Sequence, residues 1–191
     1  LLVSVEDGTN RIEYVYDGNG DRVAEIVNGQ RTNYVNDPNR EHTQVLAELD
    51  SAGDQQRQYT YGLERLCALL SADPSPGMPY YYVTDSLGST TDVLSATAVV
   101  MQSYSYDAFG SLRPTSPAGG TGTLANNFLF TGENVDANTE LVYLRARYYD
   151  PATGRFLSKD PSGFVDGPNL YVYAANNPIN FTDPSGEIFG I

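Results

Sequence analysis

The sequence predicts an all-β protein, a strip of antiparallel hairpins laid side by side. Three observations carry this reading: apolar residues alternate with polar ones at a period of two, turn-forming clusters separate the alternating runs, and a tyrosine-rich pattern recurs along the chain.

The elements follow in order. Ile12, Tyr14 and Tyr16 alternate with Arg11, Glu13 and Val15, which gives a strand one apolar face. Asp17-Gly18-Asn19-Gly20 supplies a turn, and Arg22 to Val27 resumes an extended run rich in β-branched residues. Asn28-Gly29 is a strong hairpin signal, because both residues tolerate the positive φ of a type I′ turn. It returns Arg31 to Val35 beside Arg22 to Val27. Glu48-Leu49 and Gln58 to Tyr61 flank the turn residues 50–54, and Val93-Leu94 and Val99 to Tyr106 flank Ser95-Ala96-Thr97. Two readings compete over 63–70. Leu63, Leu66, Cys67 and Leu70 have helical spacing, yet Gly62 and Asp73-Pro74-Ser75-Pro76-Gly77 leave fewer than three turns. Turn-rich linkers fall at 73–79 and at Pro114 to Gly122. The second is the expected boundary between a strip, 1–123, and a C-terminal segment, 124–191. A short helix is expected near Asn169 to Asn176.

The repeat has the form Tyr-x-Tyr-Asp-x-x-Gly-x-Arg, from Tyr14, Tyr16, Asp17, Gly20 and Arg22. It returns as Tyr104, Tyr106, Asp107 and Gly110, with one extra residue before Arg113. Degenerate copies begin at Tyr34, Tyr59 and Tyr82, and the five first tyrosines are 20, 25, 23 and 22 residues apart. Such a spacing is about one hairpin, and a lone hairpin cannot cover two tyrosine rings, so neighbouring repeats must stack. Alternating Tyr-x-Tyr reads as a packing ladder, whereas the adjacent Tyr148-Tyr149 must point to opposite faces.

The repeat resembles the YD repeat of Rhs proteins, teneurins and the C components of Tc toxins. Beyond residue 128 further motifs are similar, in order, to the Rhs-associated core. They are Phe128-Leu-Phe130-Thr-Gly132, then Tyr143 to Pro161 with Tyr148, Tyr149, Asp150, Gly154 and Arg155, then Asn169 to Pro178, then Asp183-Pro184-Ser185-Gly186. The resemblance implies an antiparallel β-strip spiralling into a hollow shell. A C-terminal cap with at most short helices closes one end, and the shell encloses a polypeptide such as a toxin.

Composition narrows the function. With 24 acidic residues against 11 basic ones the formal charge is −13, and neither half is basic, which argues against nucleic acid as a partner. Lys159 is the only lysine. Cys67, the single cysteine, cannot form an internal disulfide or a multi-thiolate zinc site, and its leucine-rich neighbourhood predicts a buried thiol. His42 has no second histidine nearby and reads as a surface residue. No apolar run reaches the length of a membrane span.

Candidate chemistry is sparse. The resemblance implies self-cleavage by a pair of aspartates just after the second of two Asp-Pro-x-Gly motifs. Here the pair is Asp160 and Asp183, with Arg155 as the nearby charge, and cleavage falls near residue 187. Two close carboxylates share a proton, so one serves as base and the other as acid. The family usually has Leu after the second motif, and this chain has Glu187. The competing reading makes both Asp-Pro pairs turn and cap residues. Asp17 to Asp21 begins like a calcium loop, but Arg22 stands where glycine is needed and Asn28 where the bidentate Glu is needed. Neither a metal nor a cofactor is expected. Asn180-Phe181-Thr182 is a formal glycosylation sequon.

The expected function is therefore structural and non-catalytic: a wall-building module of a secreted or cell-surface bacterial Rhs-type protein. Its partners are the rest of the shell or copies of itself, together with an enclosed polypeptide. The alternatives are a self-assembling extracellular filament subunit, joined through open β edges, and a self-cleaving aspartyl protease.

Overall fold

The computed structural model describes residues 1–6, 8–72, 77–113, 126–165, 167–187 and 189–190. Ten strands, β1 (Ser4–Glu6), β2 (Arg11–Tyr16), β3 (Arg22–Val27), β4 (Gln30–Asp37), β5 (Gln44–Leu49), β6 (Gln55–Tyr61), β7 (Arg65–Leu70), β8 (Tyr80–Thr84), β9 (Thr90–Leu94) and β10 (Val100–Ser103), hydrogen-bond to one another in chain order. A second sheet takes β11 (Asn134–Val135), β12 (Val142–Leu144), β13 (Arg147–Asp150) and β14 (Arg155–Phe156), also in chain order. The chain divides into two compact units, Leu2–Tyr81 and Tyr82–Ile191 with Leu1. The expected boundary linker, Pro114 to Gly122, lies outside the described residues, as do Asp73 to Pro76 of the other linker.

The repeat residues explain the strip. In the N-terminal unit Tyr14, Tyr34 and Tyr59 are buried. Arginine contributes to the cover. The Arg22 guanidinium, itself buried, lies 5.6 Å from the Tyr14 ring centre and 5.1 Å from that of Tyr34. It thus ties its own repeat to the next by cation–π contact. Arg65 repeats the arrangement over Tyr59 and Tyr61, at 5.4 and 5.1 Å. The second tyrosine of each pair reaches back one hairpin: the hydroxyls of Tyr16, Tyr61 and Tyr106 donate to the carbonyls of Leu2, Val45 and Thr90, at 2.5, 2.8 and 2.7 Å.

The aspartate and glycine of the repeat build one turn, used again and again. Asp17, Asp50, Asp85 and Asp107 each accept two backbone N–H groups on Oδ1, from the residues two and four positions on, at 2.8–3.0 Å. In each turn the glycine three positions on takes a positive φ, between +83° and +94°, and its N–H returns to the aspartate carbonyl. The Oδ1 of Asp17 is thus held by amides of its own turn.

The open reading at 63–70 is decided, and two expectations, a buried Cys67 thiol and a short helix near Asn169 to Asn176, are corrected. Residues 65–70 form β7, with Arg57 opposite Leu70 and Tyr59 opposite Ala68, so the helical spacing at 63–70 loses. Fewer than three turns could not nucleate a helix, whereas the ladder with β6 satisfies the same backbone groups. Cys67 accordingly sits half-buried on a strand and not in a closed core. Near Asn169 to Asn176 the structure has a single turn, Ala174–Asn176, with φ of +45° to +59°. Pro178 disfavours helical geometry at Asn177 just after it.

The C-terminal unit has a true core of Phe130, Val142, Leu144, Tyr149, Phe156, Tyr173 and Ala174. Tyr149 stacks on Tyr173 with centroids 4.2 Å apart, and Phe156 meets both rings edge-on. Tyr148 and Tyr149, opposite in direction, are both buried, so β13 is covered on its two faces. Asp150 and Gly154 close the β13–β14 turn, where the Gly154 N–H donates to the Asp150 carbonyl at 2.9 Å.

Candidate carboxylate centre

Asp160 and Asp183 each open an Asp-Pro-Ser-Gly turn of the kind the repeats use. The Gly163 N–H donates to the Asp160 carbonyl at 3.2 Å, and the Gly186 N–H to the Asp183 carbonyl at 3.3 Å. Oδ1 of Asp160 accepts the N–H of Ser162 at 2.7 Å and its hydroxyl at 2.5 Å. Oδ1 of Asp183 accepts the Glu187 N–H and the Ser185 hydroxyl, both at 3.1 Å. Each turn therefore holds one carboxylate oxygen and leaves the other to look outward.

Those outward oxygens meet at one atom. Nη2 of Arg147 lies 2.8 Å from Oδ2 of Asp160 and 3.3 Å from Oδ2 of Asp183, and all three side chains are almost wholly buried. The rest of the guanidinium is also engaged. Nε donates to the Gly186 carbonyl, Nη1 donates to the Leu170 carbonyl at 3.1 Å, and the plane lies 3.6 Å over the Phe156 ring. The backbone of Gly186 presses so closely on the Leu144 carbonyl that a Cβ there would overlap it. With φ at +68°, only glycine fits. The neighbouring Arg145 pairs with Glu133 at 2.8 Å and donates to the Pro184 carbonyl, which fixes the second turn against the β12–β13 hairpin.

One cation thus faces two carboxylates in a site closed to water. Burial pushes Asp183 above its ordinary value of 3.8, and Arg147, Ser185 and the amides of Glu187 and Gly186 oppose that rise. A carboxyl raised by burial, a second carboxylate beside it and a peptide carbonyl held by the same guanidinium are thus brought into one site.

Asp160 and Asp183, named from sequence, are brought together. Arg155 is not placed with them: it is exposed on β14, opposite Asp150 in the ladder and bridged to Val172. The guanidinium between the aspartates belongs to Arg147. Strand periodicity held the signal, since Arg147 shares a face of β13 with Tyr149, a core residue. Among the described residues no group of three or more His, Cys, Asp or Glu side chains could hold a metal ion. No described helix is long and apolar enough to cross a membrane.

The family model described as teneurin YD-shell matches residues 1–179. The chain belongs to the teneurin YD-shell family. This YD-shell chain is 36% identical over 178 residues to the tRNA3(Ser)-specific nuclease WapA of Bacillus spizizenii, covering 91% of the chain and 7% of that protein. Toxin subunit YenC2 of Yersinia entomophaga is 28% identical over 207 residues, covering 97% of the chain and 20% of that protein. The crystal structure of TcdB2–TccC3 superposes with a TM-score of 0.72 at 26% identity, over 97% of the chain and 10% of that structure. The chain therefore spans a small part of its relatives' length. It is an Rhs-type, toxin-associated YD-shell module, all-β as the sequence predicts.

Proposed function

We infer that the chain is a wall-forming piece of a β-shell, the strip at 1–123 building wall and the segment at 124–191 closing it. The reading rests chiefly on the unbroken chain-order pairing of β1 to β10, which lets hairpins be added without changing the design. The tie made by Arg22 between Tyr14 and Tyr34 supports it, because each repeat is covered by its neighbour. Its partners would be further YD repeats or copies of itself. Its cargo would be an enclosed polypeptide, and its place the secreted or surface arm of a bacterial toxin system. The nuclease activity in WapA's name belongs to that protein; an acidic chain matching 7% of it suits a wall better than an RNA site.

Electron microscopy with light scattering on the 191-residue chain tests this. Small discrete particles are expected. Regular fibres would instead favour a filament subunit assembled through sheet edges, and would overturn the wall reading.

A second reading, self-cleavage near residue 187, is favoured by one observation: Arg147 touches both Asp160 and Asp183 while donating to the Gly186 carbonyl. Intact mass after refolding tests it. Loss of the residues after 187 in the wild type, and none in Asp160→Asn, is expected; an uncut wild type between pH 4 and 8 refutes it.

A further inference from the structure

Two Asn-Gly dipeptides sit in turns of the strip, Asn19-Gly20 between β2 and β3 and Asn28-Gly29 between β3 and β4. Their bonding is opposite. At the first, the Gly20 N–H donates to the Asp17 carbonyl at 3.2 Å, so the backbone nitrogen is engaged. At the second the side chain is engaged: Oδ1 of Asn28 accepts the Arg11 N–H at 2.9 Å, and Nδ2 donates to Oδ1 of Asn10 at 2.8 Å. The Asn28 N–H also donates to the Arg11 carbonyl, at 2.9 Å, so these bonds clamp the β3–β4 turn to the start of β2. No hydrogen bond among the described residues uses the Gly29 N–H. Asn28 and Gly29 are both exposed, and a Cβ added to Gly29 would meet nothing within 4 Å. The hairpin itself sets this exposure, because a two-residue type I′ turn selects Asn-Gly for its positive φ values and puts both residues at the tip.

We propose that Asn28 is a self-modification site, deamidated by the Gly29 nitrogen, and that the clamp on its carboxamide sets the rate. The Gly29 nitrogen gives its proton to solvent and adds to Cγ of Asn28. The Cγ–Nδ2 bond breaks, and Nδ2 takes a proton from water and leaves as ammonia. The five-membered imide that results is opened by one solvent water. Rupture at Cγ gives an aspartate; rupture at the α-carbonyl gives an isoaspartate, whose main chain runs through Cγ. No catalyst is needed, and solvent reaches both residues of the turn. Glycine leaves the attacking nitrogen uncrowded. The clamp opposes the reaction, since Oδ1 and Nδ2 must leave Arg11 and Asn10 before Cγ can turn to Gly29. Conversion is one-way and undoes the clamp. Nδ2, the donor to Asn10, is lost in both products, and the longer isoaspartate backbone no longer fits the two-residue link that sets Val27 opposite Gln30. The first hairpin of the strip is thereby loosened from the second.

The test incubates the full chain at neutral pH, native and in urea, and follows the amide-to-acid mass gain at each Asn-Gly by peptide mapping. In urea Asn19 and Asn28 are expected to react at similar rates. Folding is expected to slow Asn28 by about tenfold, the effect of two side-chain hydrogen bonds that must open first. Asn10→Ala, which removes the acceptor of Nδ2, is expected to speed native conversion of Asn28 by about threefold or more and to leave Asn19 unchanged. Amide hydrogen exchange at Arg11 is expected to be faster in the converted chain than in the unconverted one. Equal rates at Asn28 in the folded and denatured chain, or an Asn10→Ala rate equal to the wild type, overturn the role of the clamp. A native chain, wild type or Asn10→Ala, that shows no conversion at Asn28 while the denatured chain is fully converted overturns the site.

Discussion

Replacing Arg147 by Met keeps an unbranched apolar stem and removes the charge between Asp160 and Asp183. The two Oδ2 atoms, at 2.8 and 3.3 Å from Nη2, would then face each other with no cation. The carbonyls of Gly186 and Leu170 would lose their donor as well. Breaking a buried ion pair by removing one partner costs about 3–5 kcal/mol, and with two carboxylates stranded the upper end applies, about 5 kcal/mol at pH 7. For a chain of this size that is a fall of about 10–20 °C in Tm.

The pH dependence carries the sharper test. Burial already raises Asp183, and Arg147 is the first of the groups that oppose the rise, so in the variant Asp183 rises further. A carboxyl whose folded pKa exceeds its unfolded one contributes stability that is fully present below the unfolded value. That contribution is lost as pH climbs through the folded value. The deficit of Arg147→Met is therefore small near pH 4 and opens toward pH 7. Thermal unfolding followed by near-ultraviolet tyrosine circular dichroism, at both pH values, measures it. A loss below about 1 kcal/mol at pH 7, or the same loss at both, would refute the argument that one guanidinium neutralises the pair.

In the wild type, carboxyl-carbon NMR is expected to place the Asp183 midpoint above 3.8; a value at or below that would mean that Arg147 and the donors outweigh burial. Gly110→Ala drives a Cβ to 2.5 Å from the Phe130 ring, whereas Gly29→Ala meets only open space. Both adopt positive φ, so the first should cost at least about 2 kcal/mol more than the second in chemical denaturation, and equal losses would contradict the packing. Arg22→Lys keeps the charge but not the flat cation between Tyr14 and Tyr34. A loss of about 1–2 kcal/mol is expected, and full retention of stability would show that charge alone suffices.

The strip was legible because its signals are local. The Asn28-Gly29 turn and the Ile12, Tyr14, Tyr16 alternation reappear as the β3–β4 and β2–β3 hairpins, with φ of +51° at Asn28 and +84° at Gly29. The spacing at 63–70 left helix and strand open, and the ladder of β7 with β6 decides it; Leu63, just before the strand, and Leu66 are exposed, so the stripe never faced a core. The centre was half legible. Asp160 and Asp183 announce themselves by identical turns, but their cation comes from a strand 13 and 36 residues earlier, a distance that only tertiary packing closes. Arg155 was the plausible choice by proximity to Asp160 in the chain, and proximity in the chain is a poor guide to a buried ion pair.

The same turn makes both the wall and the centre. In the repeats, Asp17, Asp50, Asp85 and Asp107 give Oδ1 to two amides of their own turns. Asp160 and Asp183 likewise tie Oδ1 within their own turns, each to one amide and one serine hydroxyl, yet Arg147, held on β13 beside the aromatic core, collects both Oδ2 atoms. A turn that pins one carboxylate oxygen removes most of the rotational freedom of the group, so the other oxygen is aimed before any partner arrives. Two such turns facing one buried guanidinium yield a preoriented acid pair with no new backbone. A structural role for these aspartates does not compete with a chemical one, because the hydrogen bonds that make them turn residues are the ones that fix the direction of the second oxygen.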